Sequence, residues 1–573
     1  MKKRWFEKRL FFKFFLPALF SSLGLAIGGI ADSLYIGRTL SDSGLFILGA
    51  ASPIYMIFST ISLGIASGGA IHFASLLSEG REEKSNTVFS SVAIINFLVI
   101  ALLSLLGLIW IRPLVALLGC SEDMSAYGDM LSYVRLMLIT APILFMQAPL
   151  QYFVHTDNAP KLASAALVIG NICDCAFGFL FIVVLRSGVN GSIWSTVCGA
   201  VVMEGICLSH LIKGNGALKL KNMVMPNLKL AAQSFFTGFA TAAQYLYQFV
   251  IVLAFNHILL SLGGAPMVAA YDITANAGTL VTAVIDAVVL AMIPLVSTFY
   301  GERNKDSMGQ SMRLALVTGF FMTALFSGLM IVFSKAYCRF SGLSADSLAA
   351  GSYAMRMFML SMPLACINSL IAAYLQNIEK EKLSYVIMGL RCFVVLLPCG
   401  LLLSRGGYKA FWLCCLVTEG VVFIGIRLWI LVSRLRGKPI SEDFSGSHVF
   451  SETIIGFCAQ ISDTCERLQH FIEDNGASMK KALLVSLAVD ETCRLIAENG
   501  EELMLQLTLV CENNEYVLHI RDNAKRSFNP FELDEDDDRG LGLKIIRSQA
   551  KHFYYRRFVG YNTLTVVFEG EKQ

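Results

Sequence analysis

Of 573 residues, 55% are hydrophobic and only 16% charged, and the mean hydropathy of +0.61 excludes both an ordinary soluble globular chain and a disordered one. A net charge of +3 provides no basic excess of the kind that nucleic-acid binding needs, so the expected partners are a lipid bilayer and small molecules, with no nucleic acid. The 15 cysteines are scattered without CxxC pairs, which predicts buried thiols and neither a disulfide framework nor a metal site.

The chain opens with the basic stretch MKKRWFEKRLFFK and no small-residue cleavage site after the first apolar run, so a retained first helix is expected. From Phe11 to about Val432, apolar stretches of about 20 to 30 residues follow one another, each long enough to cross a hydrocarbon core of roughly 30 Å. Twelve spans are counted. With the first residues placed in the cytoplasm, Lys and Arg number about 21 in inner segments and about 7 in outer loops, as the positive-inside rule requires. A multi-pass protein of the cell membrane with both termini cytoplasmic is the expectation.

The second half of this region resembles the first. RPLVALLGCSEDMSAYGDMLSYVRLMLITAP (112–142) runs beside SKAYCRFSGLSADSLAAGSYAMRMFMLSMP (334–363), pairing Arg135 with Arg356, Pro142 with Pro363 and, further on, Lys161 with Lys382. VVMEG (201–205) matches LVTEG (416–420). Each half then holds six helices, a parallel repeat that suits a transporter rocking one half against the other. The expected units are bundles over 1–222 and 223–436, followed by a cytoplasmic domain over 437–573.

Ionisable residues inside apolar spans are functional candidates by default. Asp32, in GGIADSLYIGRTL, is placed to exchange a proton or hold a sodium ion; the alternative is a helix-end aspartate facing outer water through Arg38. Asn171, Asp174 and Gly178 share one helical face, able to coordinate a cation, relay a proton or simply bond a neighbouring helix. Glu204 and Glu419 occupy matching repeat positions, which favours a structural role. Gln244, Tyr245 and Gln248 of QYLYQ, together with Asn256 and Asp286, are candidates for a cavity lining. Asp286 and Arg391 read as substrate contacts or as partners of unseen charges, and His72 and His257 as packing histidines.

Pro17, ADSLYIGRTL, GAASPIYMIFSTISLGIASGG leading into SEGREE, ALLGCSED with its second copy FSGLSAD, and GVNGSIWSTV stand in the order seen in the multidrug and toxic compound extrusion (MATE) transporters, which residues 10–436 resemble. The resemblance implies a secondary active transporter that exports amphipathic, often cationic, organic compounds in exchange for H+ or Na+. It makes Asp32 the coupling aspartate. The fifth-span pattern is met imperfectly, with Asp174 at the family's Asn position and Gly178 at its Asp position, and Phe255-Asn256 stands near where some members carry a glutamate.

After RLRGKPISEDFSG the composition changes to that of an α/β unit, with a helical segment over 477–500, two strands within QLTLVCENNEYVLHIRDN, a turn and helix in RGLGLKIIRSQA and a last strand in NTLTVVFE. LAVDET, RDNAKRSFNP, RGLGLKIIRSQA and YNTLTVVFE resemble the histidine-kinase-like (GHKL) ATP-binding fold, nearest to the anti-sigma-factor serine kinases. The resemblance implies ATP with Mg as cofactor, Glu491 as the catalytic glutamate, Asp522 as the acceptor of the adenine amino group, and Gly540, Leu541, Gly542 and Leu543 as the phosphate turn. Leu495 stands where the family's Mg-ligating asparagine is expected, with Asn499 one turn further on.

Three functions are consistent with this reading: an exporter with a regulatory tail that senses nucleotide or a cytoplasmic protein, a membrane-anchored signalling protein whose tail is a switch or serine kinase, and a flippase for lipid-linked precursors. The last should carry a more basic central cavity than these spans suggest.

Overall fold

The computed structural model describes residues 5–78, 82–157, 159–213, 218, 225–436, 448–455, 459–498, 504–512, 515–523, 546–558 and 561–569. It opens on a helix of 74 residues, α1 (Trp5–Ser78), far longer than the 30 Å or so of one bilayer core at about 1.5 Å per residue. The helical run turns at Ser41, where φ is 51°, in the turn-forming sequence SDSG (41–44). The first half continues with α2 (Glu82–Ile109), α3 (Ile111–Leu117), α4 (Tyr127–Leu144), α5 (Gln147–Thr156), α6 (Pro160–Gly178) running into a π-helical stretch (Phe179–Val184), and α7 (Asn190–Lys213).

The second half comprises α8 (Leu228–Gly263), α9 (Ala265–Gly301), α10 (Lys305–Val332), α11 (Ser334–Phe340), α12 (Ala345–Asn377), α13 (Glu381–Gly389) with its own π-helical stretch (Leu390–Val394), α14 (Leu396–Ser404), α15 (Tyr408–Phe411) and α16 (Cys414–Leu435). The internal likeness extends to local geometry. The short helices α3 and α11 are each followed by a left-handed glycine, Gly119 (φ 90°) and Gly342 (φ 88°), and Pro142 in α4 answers Pro363 in α12.

Among the described residues, eleven stretches are long and apolar enough to cross a membrane, the first of them, Ile30–Phe73, containing the turn at Ser41. Leu98, Leu102, Leu105 and Ile109 of α2 are all more than half exposed; such an apolar stripe is at home against lipid and costly against water. The chain is a multi-pass membrane protein.

The halves meet at both ends of the bundle. At the end remote from the tail, Gly37 and Gly342 bring two backbones together so closely that a Cβ on either would lie within 1.9 Å of the other segment's carbonyl oxygen. Beside them, Asp42 in the α1 turn accepts from Ser344 N (2.9 Å) and Ser347 Oγ (2.7 Å) at the start of α12, and Arg38 donates to the Phe340 carbonyl rather than reaching toward Asp32. At the tail end, a Cβ on Gly68 of α1 would lie 1.8 Å from the Ser234 carbonyl of α8. The first turns of α1 pack with the second half, Leu10, Phe11 and Phe15 sharing a core with Val288, Met292 and Phe299.

The tail is a five-stranded antiparallel sheet, β1 (His448–Ile455), β2 (Met504–Glu512), β3 (Glu515–Asp522), β4 (His552–Phe558) and β5 (Tyr561–Glu569), in the order β1-β2-β3-β5-β4. The period-2 alternation of its strands sorts the two faces. Leu505, Leu507, Leu509, Leu518, Ile520, Leu564 and Val566 point to the side covered by α17 (Ala459–Asp474) and α18 (Met479–Glu498). The other face carries two polar rows in register, Gln506–Arg521–Thr563 and Ser451–Thr508–His519–Thr565. Gln506, Thr508 and Thr565 are nonetheless buried, because this face lies against the membrane bundle.

Candidate functional site

In the first half, α1, α6 and α7 bring two carboxylates together. Asp32 accepts a 3.4 Å hydrogen bond from Ser195 Oγ of α7, and Asp32 and Asp174 both lie beside Ser195 and Thr196. The approach of α6 to α1 depends on small residues. A Cβ at Gly178 would lie 3.1 Å from Asp32 Oδ1, and one at Gly28 would lie 3.6 Å from Asn171 Cβ. The predicted trio Asp32, Asn171 and Asp174 is therefore one cluster, with Gly178 making the room. Asp174 Oδ1 is buried with no hydrogen-bond partner, and no ion pair to either aspartate exists among the described residues. Unpaired buried carboxylates are the costly arrangement that a proton or small cation relieves.

Where α1 crosses toward the second half, the next residue turns the other way. Ser33 Oγ donates to Asp272 Oδ2 of α9 (3.1 Å), and Asn276 Nδ2 bonds both Asp272 Oδ2 (3.0 Å) and Ser33 Oγ (2.9 Å). Asp272 is absent from the residues singled out in the sequence. Its partner Ser33 is more than 200 positions away, and its place seven residues into α9, just after GGAP, reads as a helix end. The signal that could have found it is its spacing with Asn276, Thr279 and Asp286 on one face of α9.

The remaining candidates separate. Gln244 and Gln248 line no common site with Asp286, which is exposed on α9, and Tyr245 is half-buried on α8. Asn256 is fully buried and donates to the Gly49 carbonyl (3.0 Å), which ties α8 to α1 instead of facing a cavity. Arg391 finds its charge partner in Glu419, through Nη2 at 2.8 Å and Nε at 2.9 Å, with Asn368 donating to the same carboxylate (2.7 Å). This is a satisfied, buried fork. Glu204, at the matching repeat position, has no such arginine, and its Oε1 is buried without a partner. His72 bonds Thr237 and His257 bonds the Leu253 carbonyl, so each ring is held by a neighbour.

In the tail, Asp522 closes β3 on the helix-covered face, 3% exposed, and accepts from Asn562 Nδ2 of β5 at 2.8 Å. Glu491 is half-buried on α18. Gly540, Leu541, Gly542, Leu543 and Asn499 lie outside the described residues. Arg521, the neighbour of Asp522, points to the opposite face. It ion-pairs with Glu302 at the end of α9, stands 5.5 Å over the Phe299 ring and donates to Gln506 Oε1 (2.9 Å). Around this pair, Asn304 Nδ2 donates to Ser451 (2.9 Å), Arg303 pairs with Glu512 (3.3 Å), and Ser307 Oγ links Gln506 with Glu7 of α1.

A multi-pass bundle with unpaired carboxylates buried in it, and an α/β domain docked on one end, defines a membrane transporter with an attached cytoplasmic-type module. The MatE family model matches residues 17–180 and again 237–402, more than half of the chain, and the chain belongs to the MatE family. Residues 458–568 match the histidine kinase-like ATPase domain, so the tail has a GHKL-like ATP-binding fold. Among curated proteins the chain is similar to an FAD transporter of Shewanella oneidensis, 24% identical over 73% of this chain and 93% of that one, and to the probable multidrug resistance protein YoeA of Bacillus subtilis, 20% identical over 56% of this chain and 70% of that one. Among solved structures, an inward-facing multidrug resistance MATE family transporter matches with a TM-score of 0.66 at 18% identity, covering 73% of this chain and 96% of its own. The MATE multidrug transporter DinF-BH, solved as a complex with a small molecule, matches with a TM-score of 0.57 at 20% identity, covering 74% and 96%. These likenesses establish the fold. At the level of the family, the protein is a transporter of small organic compounds with a nucleotide-binding-like tail.

Proposed function

We propose that the protein is a proton- or sodium-coupled antiporter that exports amphipathic organic compounds, with its tail as a regulatory module that responds to nucleotide or to a cytoplasmic protein. One observation carries this reading: Asp32 and Asp174 form a carboxylate pair buried in the first half without a cationic partner among the described residues. Such a pair binds its neutralising ion reversibly, and loading it changes the charge that α1 carries past the second half. The turn at Ser41 divides α1 into two passes, which with the remaining stretches makes twelve spans in two six-span repeats, and the basic inner loops put both termini and the tail in the cytoplasm.

The test is transport by the full-length protein in proteoliposomes under imposed pH or sodium gradients, with a lipophilic cation and a flavin dinucleotide as substrates, the latter because one relative is named as an FAD transporter. Gradient-driven accumulation of either supports the reading. Equal flux with and without both gradients overturns it.

The second reading, a receptor whose tail is the output, is favoured by the ion pair between Arg521 and Glu302, since a docked module can be driven as well as drive. Deleting residues 437–573 separates the two: an exporter keeps gradient-driven flux.

For the tail, we propose ATP binding without efficient turnover. Backbone N–H groups at Gly540 to Leu543 suffice to hold phosphate oxygens and Asp522 is placed for an adenine amino group, whereas Leu495 offers no oxygen to Mg where phosphoryl transfer needs the metal.

A further inference from the structure

Between the polar face of the tail sheet and the neighbouring ends of α1 and α9 lies a cavity of about 510 Å³. Its walls divide by chemistry. Phe14 of α1 and Leu295 and Phe299 of α9 form an apolar side, and Glu302, His519 and Arg521 form a polar one. Both the volume and the place are those of small-ligand sites, which run from about 300 to 1,000 Å³, are mostly apolar with a few polar groups, and concentrate where domains meet.

The polar side is incomplete. Glu302 is 4% exposed, and Arg521 engages its Oε1, yet Oε2 is buried with no hydrogen-bond partner. A buried carboxylate oxygen without a donor is unfavourable, and such groups in native structures call for an explanation. The neighbours are spent elsewhere: Arg521 also donates to Gln506 Oε1 (2.9 Å) and Thr563 Oγ1 (3.3 Å), and His519 Nδ1 lies 3.0 Å from Thr565 Oγ1. Burial, reinforced by Arg521 and opposed by Glu302, lowers the basicity of His519, so the ring is neutral and the fixed charges around the cavity are the balanced pair alone.

We propose that this cavity is a binding site for an amphipathic amine, whose N–H head donates to Glu302 Oε2 while its apolar body lies against Phe14, Leu295 and Phe299. A molecule so placed touches the bundle and the tail at once. It strengthens their docking, so the tail registers the presence of such a compound at the membrane surface independently of the carboxylates around Asp32. The amine can come from a soluble compound or from the headgroup of an aminolipid, and both present the same donor to Glu302.

The test is amide hydrogen exchange on the full-length protein in nanodiscs of phosphatidylcholine, a lipid whose head has no N–H donor, with a rhodamine dye bearing secondary amines as the probe. At ten times its dissociation constant the probe should slow exchange across 297–304 and 517–522 by about 10-fold. Thr298, which lines the cavity and is exposed, provides the blocking variant. Thr298→Trp fills the cavity and leaves the ion pair intact, so it should abolish the response while exchange without probe stays at the wild-type rate. Phe14→Ala should raise the half-maximal probe concentration about 10-fold through lost apolar contact. Slowed exchange on adding phosphatidylethanolamine without the probe assigns the site to the aminolipid. Absence of a response at these segments to either amine, or a response that Thr298→Trp leaves unchanged, overturns the proposal.

Discussion

Arg521 of the tail and Glu302 of α9 form an ion pair, buried on both sides, across the boundary between a membrane bundle and a water-soluble fold. Removing one member of a buried pair leaves the other charge unpaired, at a cost of about 3–5 kcal/mol. Arg521→Ala and Glu302→Ala should each undock the tail, seen as faster amide exchange over β2 and β3 and proteolysis in the connecting segment 437–447. The double variant should cost less than the sum of the two, because it strands no charge.

Asp32→Asn should abolish gradient-driven export and leave the protein folded, since the amide keeps the shape and the Ser195 contact but cannot change charge. Proteoliposome flux and a melting curve on the same sample check both halves of the statement. Asp272→Asn should preserve ion coupling and weaken the Ser33 contact, altering the apparent substrate affinity more than the dependence on the gradient.

Asp42 clasps the start of α12 through three donors, Ser344 N, Ser344 Oγ and Ser347 Oγ. Hydrogen bonds to a charged group contribute about 1.5–3 kcal/mol each. Asp42→Ala should therefore shift the bundle by about 10-fold or more toward opening at the end remote from the tail, which thiol labelling of a cysteine placed at Leu45 would report.

His519 faces Glu302 from α9, Arg521 on its own strand and Thr565 from β5, and its basicity is lowered by burial. A base whose pKa is lowered in the docked state favours that state while it is neutral. The contribution is thus complete above the ordinary histidine value of 6.5 and is lost as pH falls through the lower, docked value. Tail docking, followed by amide exchange, should weaken between about pH 7 and about pH 5, and His519→Gln should remove most of that dependence.

In the full-length protein, calorimetry with ATP and Mg should give weak binding without turnover. Gly540→Val and Gly542→Val should weaken it, since a β-branched side chain blocks the approach of phosphate to the backbone. Hydrolysis at a rate comparable to active members of the fold would show that another oxygen replaces the ligand missing at Leu495.

The sequence made the spans, the internal likeness and the α/β tail legible because each leaves a local trace: uninterrupted apolar runs, paired Arg135/Arg356 and Pro142/Pro363, and alternation in QLTLVC and NTLTVVFE. The grouping of Asp32 with Asn171 and Asp174 was within reach for the same reason, each residue being unusual in an apolar helix. What could not be read depends on partners distant in the chain. Asp272 looks like a helix-end carboxylate until Ser33 is placed beside it. Asn256 looks like a cavity residue until Gly49 takes its amide. The polar rows of the tail sheet have the pattern of a solvated face, and only the loop after α9 turns them into a buried one.

The path of α1 sets an order of assembly. Its first turns finish against Val288, Met292 and Phe299, and Glu7 accepts from Ser307, which in turn meets Gln506 of the tail. Residues 7 to 15 leave the ribosome nearly 300 positions before the groups that seat them, and the last of those belongs to the tail. During synthesis this amphipathic, phenylalanine-rich stretch has no native partner, so it waits at the membrane surface and locks only after the α/β domain has folded. A chain arrested before the tail would carry a complete set of spans and an unfastened first helix, a ready signal by which quality control could tell an unfinished transporter from a finished one.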